Sequence, residues 1–150
     1  MNNNIFMIKF SKSSTELTKE YNEMKVDDKK KLSDINISSL IDIDDENGYE
    51  CYIICEEHDI EKYKKILNSN KISYICDNIS KKVISGEINL EKYIKEKLDS
   101  INKQFYKEFI KSVNVFITEN LKLDDILDKI SYSGIKSLTK LEKKYLKNYK

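Results

Sequence analysis

Short apolar runs and one alternating segment fill the first half of the chain, and this pattern predicts β-strands. Ile5–Phe10 and Tyr49–Glu56 are the most apolar runs, whereas Ile37–Asp44 alternates between apolar and polar positions. Ile72–Cys76 is a fourth run of the same kind. Short runs rich in β-branched and aromatic residues are typical of strands. The sequence therefore predicts four strands, with Lys82–Glu87 as either a fifth strand or an irregular return.

Helix signals lie between these strands. Ser13 and Glu16 form a capping box, and Asp59 is the predicted N-cap of a second helix. Asn47-Gly48 is a hairpin-turn dipeptide between the second and third strands. The order strand, helix, strand, strand, helix, strand is the split βαβ arrangement of ferredoxin-like folds. We therefore expect an α+β fold with a βαββαβ antiparallel sheet over residues 4–87.

The apolar spacing becomes helical from Leu90 onward. This predicts a helical extension over residues 88–150. It comprises a long helix over residues 89–120 and a helix-turn-helix tail over residues 123–149. Within the long helix, residues 112–118 alternate like a strand, but the helical flanks favour helix there.

Both faces of the predicted sheet are apolar, so an open sheet would expose a patch of roughly several hundred Å². The long C-terminal helix, a second copy of the chain or a partner could cover the face that the two crossover helices leave open. Met7, Leu40, Tyr52 and Ile54 are the residues assigned to that face, and they form a candidate interface.

Composition argues against a dedicated nucleic-acid binder. The 150 residues carry a net charge of +1 and contain no arginine. A near-neutral chain has no large cationic field, and without arginine it has no planar fork for phosphate or guanine. The strand order and the run Gly48–Tyr52 are loosely similar to RNA-recognition modules. However, Cys51 stands where such modules need an exposed aromatic residue.

Charge is nevertheless unevenly distributed. Residues 42–61 hold nine acidic residues and no lysine, whereas residues 134–150 hold six lysines and one glutamate. The acidic stretch lacks the spacing of a calcium loop, so we interpret it as a solvated hairpin tip or a recognition edge for a basic partner. The lysine-rich tail is the solvated face of a helix, or it docks on the acidic hairpin. The residues of the predicted acidic edge are Asp42, Asp44, Asp45, Glu46 and Glu50.

The titratable residues suggest no catalytic or metal site. Cys51, Cys55 and Cys76 lie in strand-like segments and read as buried, reduced thiols. Cys51 and Cys55 are about 13 Å apart on one strand, too far to share a metal ion with His58. No glycine-rich phosphate loop is present, so we expect no cofactor. No apolar run reaches the length of a membrane span, and the first residues lack a basic leader, which predicts a cytoplasmic protein.

The segment Leu123–Leu146 carries the pattern Asp-x-Ile-Leu-x-Lys-Ile, then glycine, then Ser-Leu-Thr-x-x-Glu-x-x-x-Leu. This tail resembles the short C-terminal accessory domain of rhomboid-family proteases of some bacteria. The resemblance implies a small helix-turn-helix accessory module. It implies no protease activity, because residues 1–122 contain no membrane span and no catalytic serine or histidine motif. Leu141 stands where the pattern usually has an acidic residue. Residues 4–87 are similar, in topology only, to regulatory domains of the PII and ACT kind.

These observations favour a small non-catalytic binding protein that acts through protein–protein interaction, as a regulator, inhibitor or immunity-type factor. A homodimer is compatible with the doubly apolar sheet. The alternatives are a ligand-sensing domain of the PII or ACT type, with its ligand at a subunit interface, and a weak RNA-binding module. An enzyme is disfavoured because no paired catalytic groups are evident.

Overall fold

A computed structural model describes residues 2–45, 48–97 and 103–149. Its four strands are β1 (Asn3–Phe10), β2 (Ile37–Asp45), β3 (Gly48–Glu56) and β4 (Tyr74–Asn78). They form one antiparallel sheet in the order β2-β3-β1-β4. This is the strand order of a ferredoxin-like sheet, with β3 and β1 at the centre. The α+β fold class with C-terminal helices is therefore confirmed.

The helices of the described residues are α1 (Ser14–Glu23), α2 (Val26–Ser33), α3 (Glu57–Ser69), α4 (Ser80–Ile84), α5 (Leu90–Lys97), α6 (Lys103–Asn120), α7 (Leu123–Ser133) and α8 (Lys140–Asn148). The capping box before α1 is confirmed, because the Ser13 hydroxyl accepts the amide of Glu16 at 3.3 Å. Residues 112–118 are helical, as their flanks predicted. Whether α5 and α6 form one helix depends on residues 98–102, which lie outside the described residues.

Two local predictions were wrong. Asp59 does not cap α3, which begins two residues earlier at Glu57. Its carboxylate is instead buried and accepts the backbone amide of Asn36 at 3.3 Å. Lys82–Glu87 is not a strand, because its first three residues complete the short helix α4 and only residues 85–87 are irregular. That helix places Val83 one turn after Ile79, so both side chains enter the same core.

The α3 face of the sheet holds one hydrophobic core. Alternate residues of the central strands point into it, and α3 adds Ile60 and Leu67. Helices α1 and α2 contribute no fully buried residue. The buried members of this core are Phe6, Ile8, Phe10, Cys51, Ile53, Cys55, Ile60, Leu67 and Ile72.

The opposite face of the sheet is covered by the chain's own C-terminal helices, the first of the three possible covers. Ile94 of α5 and Phe109 of α6 are at most 1% exposed, and both belong to the same core as the sheet residues beneath them. The buried members of this second core are Ile5, Ile41, Ile43, Tyr52, Ile54, Ile79, Val83, Leu90, Ile94, Phe109, Ile110, Val113 and Phe116. Among the described helices, none is both long and apolar enough to cross a membrane.

Candidate functional site

The acidic hairpin edge is partly engaged by neighbouring hydroxyl groups. Asp42 and Asp44 are exposed on β2. The Tyr49 hydroxyl donates to Asp42 Oδ2 at 2.7 Å, and the Ser14 hydroxyl donates to Asp44. Glu46 and the side chain of Asp45 lie outside the described residues. This edge stays a predicted recognition surface, with two of its carboxylates already hydrogen-bonded within the chain.

Glu50 was grouped with that edge, but it lies on the other face of the sheet and is only 5% exposed. Its Oε2 atom accepts hydrogen bonds from the hydroxyls of Tyr52 (3.0 Å) and Tyr93 (3.2 Å). Its Oε1 atom lies 3.5 Å from Lys9 Nζ and 3.7 Å from Lys97 Nζ. The correction follows from strand alternation, which puts residue 50 on the same face as residue 52 and opposite residue 49.

The Glu50 cluster joins three elements of the fold. It connects β3 to β1 through Lys9, and to α5 through Tyr93 and Lys97. Burial raises the pKa of the Tyr52 hydroxyl, with the neighbouring Tyr93 and the Glu50 carboxylate adding to the effect. Tyr52 therefore stays a neutral hydrogen-bond donor. Because each oxygen of the carboxylate already has protein partners, the cluster is suited to fastening α5 onto the sheet.

The predicted apolar interface is split between the two sheet faces. Tyr52 and Ile54 are buried beneath the C-terminal helices, and Met7 packs against the same core. Leu40, by contrast, pairs with Ile53 and therefore lies on the α3 face, where it is 46% exposed. Its assignment beside Tyr52 was wrong, because the C-terminal helices bury the other side of β2.

The C-terminal helices α7 and α8 are joined by an ion pair whose carboxylate is buried and whose lysine is partly exposed. Lys129 Nζ donates to Glu142 Oε1 at 2.8 Å, and Glu142 is 3% exposed. The Thr139 amide donates to the same oxygen, and the Thr139 hydroxyl accepts the Glu142 amide at 3.1 Å. These two hydrogen bonds form a capping box at the start of α8. Gly134, with φ of +81°, allows the reversal between the two helices.

The same ion pair also ties α7 to the end of α4. Lys129 Nζ donates to the carbonyl oxygen of Ser85 at 3.0 Å. A Cβ atom on Gly86 would lie 2.8 Å from Thr139 Cγ2, so this approach requires glycine. The C-terminal segment is thus docked against the preceding part of the chain at a defined place.

Acidification should weaken this link. Burial alone would raise the pKa of Glu142, but the hydrogen bonds from Lys129 and Thr139 outweigh it and lower the pKa. A lowered pKa in the folded state stabilises the fold above the ordinary glutamate pKa, and that stability is lost as the pH falls through the folded value. We expect Glu142→Gln to reduce the free energy of unfolding at neutral pH, with the difference from wild type shrinking on acidification.

Urea unfolding of both proteins across that pH range measures the difference. Glu96→Gln, a change at an exposed carboxylate of α5, is the control and should show no such pH-dependent gap. A gap for Glu142→Gln that stays constant down to acidic pH would contradict the assigned charge state.

A groove runs between α6 and α8, with a volume of about 660 Å³. We call it the α6–α8 groove. Its apolar contacts come from Ile110, Val115 and Leu141, of which Val115 is 50% exposed. The residues that line it are Glu91, Tyr106, Lys107, Ile110, Lys111, Asn114, Val115, Thr118, Glu119, Leu141 and Lys144.

Three lysines of the α6–α8 groove are exposed and unpaired. Lys107 and Lys111 lie one turn apart on α6, and Lys144 lies across from them on α8. Within residues 2–45, 48–97 and 103–149, none of the three has a carboxylate at ion-pair distance. The groove therefore combines an apolar floor with free ammonium groups.

Two other polar clusters have simpler explanations. Glu56, His58 and Asp59 bring three possible ligand atoms within 4.8 Å at the start of α3. His58 Nδ1 and Nε2 already lie 3.2 and 3.3 Å from the Glu56 and Asp59 carboxylates, so we assign no metal there. A depression of about 540 Å³ between α2 and α3 mixes three lysines with two aspartates, and one of these, Asp28, accepts a hydrogen bond from Asn70.

The three cysteines have a structural role, because they belong to or pack against the hydrophobic core on the α3 face. Cys51 and Cys55 are buried, Cys76 is half-buried, and all three are free thiols. Burial raises the pKa of both Cys51 and Cys55 to about 12, with nearby acidic groups reinforcing the shift. A thiol with so high a pKa carries little thiolate at neutral pH and is a poor nucleophile.

Comparison with known proteins gives one match. Residues 118–150 match a family model described as a family of unknown function (DUF6576). No curated protein matches the chain, and no solved structure matches it. The similarity of the tail to rhomboid accessory domains stays a prediction. The family match covers less than a quarter of the chain and spans the end of α6 together with α7 and α8.

Proposed function

We propose that this chain is a non-catalytic binding protein, a regulator or inhibitor, whose partner is another protein held in the α6–α8 groove. The observation that carries the proposal is the groove itself. It offers aliphatic side chains within reach of solvent, beside cations that have no partner in the described part of the chain. Exposed apolar surface bordered by polar groups is characteristic of protein interaction sites.

The other apolar surfaces considered are less suited to a partner. The sheet face beneath α5 and α6 is internal, so a partner could reach Tyr52 or Ile54 only by displacing a hydrophobic core. Leu40 is exposed, but its strand neighbours on the same face include the carboxylates of Asp42 and Asp44. The groove is instead open to solvent between α6 and α8, so a ligand can reach its lining without displacing a hydrophobic core.

Affinity capture with matched variants tests the proposal. Val115→Asn/Leu141→Asn changes the groove floor without adding charge, and Val26→Asn/Leu40→Asn makes the same substitutions on exposed residues elsewhere. We expect wild type and the control to recover the same stoichiometric protein from a lysate of the native host. The groove variant should lose most of it, because apolar contacts at an interface centre dominate binding energy.

Circular dichroism and thermal midpoints of both double variants establish that each is folded before capture. Loss of the partner from the Val26/Leu40 variant, with retention by the groove variant, would place the interface on the α3 face and contradict the proposal. Recovery of no stoichiometric protein by the folded wild type would also count against it.

A further inference from the structure

We propose that the occupant of the α6–α8 groove is an acidic amphipathic helix of a protein partner, an inference that rests on the proposed function. The helix would set aliphatic side chains on Ile110, Val115 and Leu141, and its carboxylates would face Lys107, Lys111 and Lys144. An amphipathic helix in an apolar groove is a recurrent mode of peptide recognition.

The charges in the groove favour an acidic ligand. Lys107 and Lys111 stand at i and i+4 on α6, where two like charges repel each other. Lys144 approaches the same groove from α8, and in the described residues no carboxylate within 4 Å offsets the three charges. A carboxylate-bearing ligand would relieve this repulsion.

The dimensions of the groove suit a short helix. Its lining on α6 runs from Tyr106 to Glu119, a rise of about 20 Å, which corresponds to between three and four helical turns of a ligand lying alongside. Three aliphatic residues lie along this length: Ile110 and Val115 on α6, with Leu141 opposite on α8. Apolar residues at i, i+3 or i+4 and i+7 of a ligand helix would reach such contacts, as they do in other helix-binding grooves.

The lining favours an acidic protein segment over a nucleic acid. Glu91 and Glu119 also line the groove, and they would repel a continuous phosphate backbone. Tyr106 is the aromatic residue of the lining, and its hydroxyl is held by the carbonyl oxygen of Glu91 at 3.0 Å. Proteins that bind single-stranded nucleic acid without sequence preference usually do so through several exposed aromatic side chains on which the bases stack. An amphipathic helix can place its carboxylates by the lysines and leave the two glutamates free.

Fluorescence anisotropy with defined peptides tests this chemistry. The probe is a labelled peptide of about 16 residues with leucines at helical spacing and glutamates on both flanks. A scrambled peptide of the same composition lacks the apolar stripe. We expect the amphipathic probe to bind saturably and the scrambled peptide to bind at least about tenfold more weakly, because an exposed ion pair alone contributes little. Raising the salt concentration should weaken binding of the probe.

Charge reversal identifies the surface. Lys107→Glu/Lys111→Glu/Lys144→Glu should weaken binding about 10- to 100-fold, because attraction becomes repulsion at three places. Lys31→Glu/Lys62→Glu/Lys65→Glu makes the same change around the α2–α3 depression and should alter binding less than about threefold. If the charge-reversed protein fails to fold, the neutral variant Lys107→Gln/Lys111→Gln/Lys144→Gln replaces it in the measurement. We expect this variant to lose an intermediate amount of peptide affinity.

Several outcomes would overturn the inference. One is that the two triple charge-reversal variants weaken peptide binding equally. Another is that a peptide with lysines in place of the glutamates binds as tightly as the acidic probe. Tighter binding of a single-stranded oligonucleotide than of the acidic peptide would assign the groove to nucleic acid. If capture of the partner requires Val115 and Leu141 but is unaffected by reversal of the three lysine charges, the proposed protein binding stands and the inference that the ligand is acidic is wrong. If neither partner nor peptide binds, both proposals fail.

Discussion

Replacing Phe109 with alanine should lower the free energy of unfolding by about 3–5 kcal/mol, the usual cost of removing a buried aromatic ring. Phe109 is 1% exposed and lies in α6, in the core that this helix shares with β1, β2 and β3. The ring contacts a layer built from distant parts of the chain, so the cavity cannot be filled by local adjustment. Urea unfolding followed by circular dichroism measures the loss.

Phe105→Ala is the matched control for this change. It removes the same ring one turn earlier on the same helix, where Phe105 is 69% exposed, and should cost less than about 0.5 kcal/mol. We also expect wild type to unfold in one transition by circular dichroism and tyrosine fluorescence, because sheet and C-terminal helices share a core. A separate transition for the C-terminal helices, or equal costs for the two variants, would contradict the described packing.

Replacing Glu50 with alanine should cost about 2–3 kcal/mol, the next largest effect we expect. The change removes the acceptor of the buried Tyr52 hydroxyl, and an unsatisfied buried donor costs about 1–3 kcal/mol. It also removes the carboxylate partner of Lys9 and Lys97, but these side chains are 46% and 29% exposed and can turn toward water. The loss should therefore stay below that of a fully buried ion pair.

Asp42→Ala is the control for Glu50→Ala. It also removes a carboxylate that accepts a tyrosine hydroxyl, but at an exposed site on β2, so its cost should be less than about 0.5 kcal/mol. Combining Glu50→Ala with Tyr52→Phe should recover part of the loss, because the buried Tyr52 hydroxyl that lost its acceptor is removed as well. Strict additivity of the two changes, measured by urea unfolding, would indicate that the hydrogen bond contributes nothing.

The order and direction of the strands could be predicted from sequence because each depends on local signals. Ile5–Phe10 and Tyr49–Glu56 are the most apolar of the four strand runs, as expected of central strands, and they occupy the centre of the sheet. The face to which a strand turns its side chains could not be predicted in the same way. Alternation groups Ile41 with Ile43 and Leu40 with Asp42, but which group meets α6 depends on packing against a helix far away in sequence.

The roles of single residues were the hardest to predict. Asp59 is of a residue type that is preferred at the N-cap, yet tertiary packing buries its carboxylate beside Asn36. Glu50 looked like one more acid of an acidic hairpin, and only the structure brings it to Tyr93 of α5. The α6–α8 groove was missed entirely. Its signal in the sequence was the pair Lys107 and Lys111, two cations one helical turn apart.

The position of the family match has a consequence for how this protein is compared with others. The match starts at residue 118, within the last turn of α6, whereas most of the groove lining precedes it. The contacts of Lys129 with Glu142 and of Thr139 with Glu142 lie within the matched segment. The groove needs both that segment and residues outside it. A chain that carries the same tail after a different sequence would keep the tail's internal contacts but form a different groove.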